Sequence, residues 1–329
     1  MDWRCCLETF NGASAYKLEF FSPVHSVVTL KRQLHHWWPK CVSQHWEGDD
    51  GMIGRIQPDG RITRVAAHRL GSIADGHHGK VSNLPGSMTT SWDFSFEKDF
   101  DKADSHFPEV ISWLESMKTD GAGRESSHTR FRSEDASDDQ LRILTECVVS
   151  LIVRSPMSRD AFANFSSRLG LPISKAERDV VVGVNMLGKQ RKMSDSINCS
   201  GKFAVLFTDN REFIYGDGCF NNLSGYVDPP YSPKLLVPIT PNLSVIVYRP
   251  FSYIVEPRLS SIDLTRDEVD QCNHAIQVYS RAEIFFRSEI PHLDPAFTCA
   301  ERRKYARPDN PIDSFIGTIP GISGQKTYY

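Results

Sequence analysis

Short apolar runs bounded by turn residues lie between two helices whose start signals are written in the sequence, and that order confines the chain to helices packed on a sheet. Phe203–Phe207, Leu235–Ile239 and Leu243–Tyr248 are rich in aliphatic, β-branched and aromatic residues, so each reads as a strand. The last two turn back on each other at Thr240-Pro241-Asn242, and Glu212–Tyr215 reads as a further strand. Met52 to Val65 carries two shorter β-prone runs joined at Pro58-Asp59-Gly60, the sequence of a hairpin. The helix starts are capping boxes, Ser137-Asp138-Asp139-Gln140 and Thr265-Arg266-Asp267-Glu268. Behind them the apolar faces run Leu141, Leu144, Val148, Leu151 and Val269, Cys272, Ile276, Tyr279, Phe286.

A third helix is expected from Phe94 to Met117, where Phe96, Phe100, Ala103, Phe107, Val110 and Leu114 recur at helical spacing. Pro108 is expected to kink or divide it. The expected fold is therefore α+β, helices packed on a mainly antiparallel sheet. One large domain spans 1–292, with a mobile loop at about 118–138 and a C-terminal tail at 293–329.

A formal charge of -3 exerts no global pull toward nucleic acid or anionic lipid, so such binding needs a local basic patch. Two short candidates are Lys189-Gln190-Arg191-Lys192 and Arg302-Arg303-Lys304 with Arg307, each of which reads first as a solvated loop or tail. No stretch reaches the roughly 18 apolar residues needed to cross a bilayer. The opening residues carry no secretion-signal pattern, so a cytoplasmic protein without membrane contact is expected. The eight cysteines are scattered without a Cys-x-x-Cys pair, giving neither a zinc knuckle nor a disulfide framework, and they read as mostly buried thiols.

The candidate site residues come from separate stretches. His36-Trp37-Trp38-Pro39-Lys40 combines an acid–base group, aromatic faces and a cation, and Trp46 follows closely. Glu97, Asp101 and Asp104 line one helix edge, beside which Arg154 closes the next helix. Asp209 follows an apolar run and is expected to be partly desolvated, which raises a carboxyl pKa. Asn273, Gln277 and Arg281, four apart, share one edge of the last helix. His68, Asp75, His77 and His78, with Gly76 and Gly79 interleaved, offer metal ligands but read first as a flexible histidine-bearing loop.

In their order along the chain, these motifs resemble a bacterial family known as domain of unknown function four-two-three-eight. The likeness covers roughly the whole length. The family's His-x-x-Pro start is similar to His36-Trp37-Trp38-Pro39, and its Glu-rich helix to Glu97 through Asp104. Its Arg-Thr-Pro element looks like Arg154-Ser155-Pro156, its Asp-ended strand like Thr208-Asp209-Asn210, and its Leu-Pro-x-x-Pro turn like Val237 to Pro241. Its last helix carries an Asn and an Arg, as Asn273 and Arg281 do here. Arg211 stands where the family has a proline, and Asp104 where a glutamate is usual. The resemblance implies a fold and a site more than a reaction.

Three functions fit these residues. In the first, a DNA glycosylase serving bacterial anti-phage defence, Trp37 and Trp38 hold a flipped base while Lys40, Arg154 and Arg281 hold phosphate. Asp209 steadies the oxocarbenium-like sugar, His36 protonates the leaving base, and Glu97, Asp104 and Asn273 complete the catalytic set, with no cofactor or metal. The second is a metal-dependent nuclease using Glu97, Asp104 and Asp209, with Lys40 or His36 assisting. The third is a non-enzymatic sensor or binding module whose polar cluster only specifies the fold. The first is the expectation, with DNA as partner.

Overall fold

The computed structural model describes residues 33–79, 94–118, 130–164, 170, 175–223, 232–249, 256–305 and 310–319. Cys5, Cys6, Arg307 and most of the expected loop lie outside them. The fold is α+β. Its main sheet has five strands in the order β10 (Lys234–Thr240), β11 (Leu243–Tyr248), β8 (Lys202–Phe207), β12 (Leu259–Asp263) and β7 (Phe131–Glu134). Every neighbouring pair is antiparallel except β8 and β12. All six residues of β8 are buried, as expected of a strand covered on both faces, and this is why these runs are continuously apolar.

A second, four-stranded antiparallel sheet runs β3 (Ile62–Val65), β2 (Ile53–Ile56), β13 (Ile284–Phe286), β9 (Tyr215–Gly216). The β2–β3 hairpin turns at Gly60, whose φ of +82° is the left-handed conformation that glycine tolerates. Two small pairs complete the strands: β1 (Leu34–His36) with β4 (Ser72–Ala74), and β5 (His78–Gly79) with β6 (Phe94–Ser95).

Eight helices are described: α1 (Lys40–Ser43), α2 (Lys98–Glu115), α3 (Asp138–Arg154), α4 (Pro156–Ala163), α5 (Lys175–Ser200), α6 (Arg266–Tyr279), α7 (Pro295–Thr298) and α8 (Pro311–Thr318). Both capping boxes form as read, at Ser137 and Thr265. None of the helices is long and apolar enough to cross a membrane.

Four expectations are corrected. Pro108 does not divide α2. It has no N–H for the carbonyl of Asp104, four residues back, and the Cys41 thiol of α1 donates to that oxygen instead, at 3.5 Å. Residues 131–134 of the expected loop are β7, paired with β12. The C-terminal segment packs inward, with Phe297 and Ile312 fully buried. The basic run at Lys189 is no loop but part of α5, with Lys189 itself buried.

The last helix also ends earlier than its pattern suggests. Asp217 Oδ1 accepts the backbone N–H groups of Arg281 (2.8 Å) and Ala282 (3.2 Å), drawing the chain out of the helix after Tyr279. Arg281 therefore lies beyond α6 and Phe286 lies on β13.

Two carboxylates tie loops to this frame. Burial pushes the Glu212 carboxyl up, but donation from Ser288, Arg287 and the Glu289 N–H outweighs it and holds the group below its ordinary 4.5. At Glu268 burial likewise pushes up, and Arg130 and Thr265 outweigh it. A depressed folded-state pKa stabilises fully above the unfolded value and is lost as pH falls through the folded one. Urea unfolding free energy is thus expected to be steady down to a pH of about 4.5 with respect to these groups and to drop below it. Glu212→Gln should make that acid limb shallower.

Candidate metal centre

Strand parity decides which histidine of the His35-His36 pair goes inside. On β1, paired in register with β4, successive side chains face opposite ways. Leu34 is 65% exposed and His35 only 2%. Two residues beyond Ile73, the partner of His35, the chain turns at Asp75, with a left-handed φ of 54°, and delivers His77 and His78 into the interior. The β5–β6 pairing then sets Glu97, at the head of α2, beside them. A helix N-terminus favours a carboxylate there.

His35, His77 and Glu97 each offer one ligand atom, and the three atoms lie within 4.8 Å of one another. His35 and His77 are stacked, ring centroids 5.1 Å apart, and His78 meets His35 edge-on at 4.4 Å. The backbone N–H of His77 donates to His35 Nδ1 at 3.0 Å, and His77 Nδ1 is hydrogen-bonded to Glu97 Oε2. His35 Nε2 is buried with no hydrogen-bond partner among the described residues. Glu97 is the solvent-facing member, its side chain 36% exposed.

Burial is the largest influence on each of these groups. It drives the His35 pKa down to about 4 against the opposing charge of Glu97. It drives His77 well below the ordinary histidine value, helped by the charges of Arg154 and Arg159. It raises Glu97, which His35 and Arg154 pull back down. Two neutral imidazoles and a carboxylate are a donor set suited to a divalent transition ion.

Next along α2, Asp104 accepts a bidentate pair from Arg154, Nη2 to Oδ1 at 2.6 Å and Nη1 to Oδ2 at 3.0 Å. The Arg154 side chain is 1% exposed and its guanidinium lies 4.8 Å from the centre of the Phe100 ring.

Of the residues singled out from sequence, Glu97, Asp104 and Arg154 come together here with His77, His78 and Asp75, the two histidines being buried rather than carried on a flexible loop, and the charge of His36 also reaches Glu97. The others do not join them. Asp209 is not desolvated: its side chain is 56% exposed and paired with Lys118, beyond the far end of α2. The 18-residue helix places that end about 27 Å from Glu97. Asn273 is buried and spends its amide on the Ile214 N–H and the Glu212 carbonyl, an architectural role. Arg281 pairs at the surface with Asp160, 3.1 Å away, and Lys40 is exposed.

Trp37 and Trp38 are core rather than platform. Trp38 is fully buried, stacked on Tyr215 at 4.3 Å, and Trp46 donates its indole N–H to the Ile239 carbonyl. His35 was the residue the sequence reading passed over. The available signal was two histidine doublets, 35–36 and 77–78, followed by an acidic helix start.

No protein-family model, curated protein or solved structure matches the chain.

Proposed function

We propose that this protein is a metal-dependent hydrolase of phosphate esters, with His35, His77 and Glu97 holding a divalent cation. The observation that carries the reading is the convergence of those three ligand atoms within 4.8 Å of one another, together with a buried His35 nitrogen that has no hydrogen-bond partner among the described residues. Three protein ligands leave coordination positions open, as in catalytic rather than structural zinc sites. A divalent ion so held acts as a Lewis acid on a phosphoryl oxygen and lowers the pKa of water.

Two neutral imidazoles and one carboxylate leave such an ion a net positive charge, which favours an anionic substrate. Because His35 Nδ1 accepts from the His77 backbone, its neutral ring carries the proton on Nε2. Ligation through either nitrogen therefore gives up that one bond and leaves the buried His77 N–H without its acceptor, a cost of about 1–3 kcal/mol. Zinc binding returns on the order of 10 kcal/mol in zinc-finger peptides, so the exchange favours the ion.

A nucleic-acid phosphodiester is the substrate to test. Purified protein incubated with DNA, RNA and an activated phosphodiester is expected to cleave when zinc or manganese is supplied and to stop in EDTA. Glu97→Gln should lower the rate by about 100-fold or more, since ligand loss exceeds the effect of changing a residue behind a ligand. Breaks that appear only after alkali and persist in EDTA would identify base excision and overturn the reading.

A further inference from the structure

Five residues beyond Arg154, Arg159 lies on α4 and, among the described residues, forms no salt bridge. Its side chain is half-buried, and among the described residues its only hydrogen bond runs to the Met186 thioether, Nη1 to Sδ at 3.5 Å. A thioether is a weak acceptor for a guanidinium. Asp179 and Asp160 act on Arg159 through their charge. Asp160 is taken up by Arg281 and Arg302, at 3.1 Å and 3.3 Å. A cation removed from water without a matching anion is unfavourable, and in a substrate site the ligand supplies the anion.

The contacts place this cation on the His77 side of the molecule. Met186 lies on α5 one turn after Gly183, against which the Phe96 ring packs. The Phe96 ring centre is 5.0 Å from that of His77. Arg159 also bears on His77 directly, its charge disfavouring a protonated ring. Arg154, the other cation here, is spent on Asp104.

We propose that Arg159 is the anion-binding residue of the site, receiving a phosphate oxygen of the substrate beside the His35–His77–Glu97 centre. The assignment rests on the hydrolase reading and gives it a recognition element. Arginine suits the task because its planar fork pairs with two oxygens at once.

The test is calorimetric titration of the full chain with inorganic phosphate, without added metal, for the natural protein, Arg159→Gln and Arg159→Lys. Circular dichroism checks the fold of each. Phosphate affinity should fall about tenfold or more in Arg159→Gln, the loss of one charged hydrogen-bonding group, and recover in part in Arg159→Lys. A folded Arg159→Gln protein that binds phosphate like the natural chain, or a natural chain that binds none, overturns the assignment. If the glutamine variant does not fold, Arg159→Lys carries the test, with a loss of about threefold expected and an unchanged affinity contradicting it. Zinc titration of the same samples, expected to be unaltered by Arg159→Gln, separates failure of this assignment from failure of the metal centre.

Discussion

Asp104→Ala is expected to destabilise the protein by about 3 kcal/mol, read as a lowered urea midpoint at unchanged slope. The cost comes from what the substitution leaves behind: Arg154 is 1% exposed, and without Asp104 its guanidinium keeps, among the described residues, a long bond from Nε to the Ser150 carbonyl, 3.4 Å, and the face of Phe100. Breaking a buried pair from one side costs about 3–5 kcal/mol. The lower end applies because the Asp104 side chain is one-third exposed, so water can enter the space it vacates. Replacing both partners, Asp104→Leu with Arg154→Met, should recover most of the loss, since it removes the stranded charge together with its partner. A single-variant cost below about 1 kcal/mol would show that the pair behaves as an exposed salt bridge.

Trp38→Ala should cost about 3–5 kcal/mol, the range for emptying a buried aromatic site. Trp38 is fully buried, parallel to Tyr215 within 4° at 4.3 Å, and 5.0 Å from Phe285. It thereby joins the His-x-x-Pro segment to β9 and β13 of the four-stranded sheet. The measurement discriminates between two roles for this tryptophan. A stacking platform would lose ligand affinity with little change in unfolding free energy, whereas a core residue loses stability first.

The parts of this fold that could be read from sequence are those set by neighbours along the chain. β8, β10 and β11 announce themselves as apolar runs, and α3 and α6 begin where their capping boxes say, because a cap is a contract among four consecutive residues. The 26-residue α5 was missed for an equally local reason. Its inner stripe runs Val182, Met186, Lys189, Met193, Ile197, and a buried lysine in the middle of it breaks the apolar period and joins a basic run that looks like surface. The end of α6 could not be read at all, since the Asp217 carboxylate that terminates it is 64 residues away from Arg281 in sequence.

The site divides in the same way. Glu97 and Asp104 were legible as an acidic helix edge, and Arg154 as the end of a helix. The burial of His35 rather than His36 depends on the pairing of β1 with β4, and its meeting with His77 spans 42 residues. His77 stood in a histidine-bearing run that offered metal ligands, but nothing local ties that run to His35. Asp209 looked desolvated because it follows five apolar residues, but a strand end emerges from the core, and its side chain has turned to solvent and Lys118.

Everything functional here depends on whether the His35–His77–Glu97 cluster takes up an ion. The most direct measurement is calorimetric titration of the metal-stripped chain with zinc, alongside Glu97→Gln, a near-isosteric change at the exposed member, and His77→Ala. Uptake of a single ion per chain, weakened by about 100-fold or more in both folded variants, is the expected result. A natural chain that binds no zinc or manganese, or binds zinc as well without His77 and Glu97 as with them, would contradict the metal centre and leave these three residues as a buried hydrogen-bonded network.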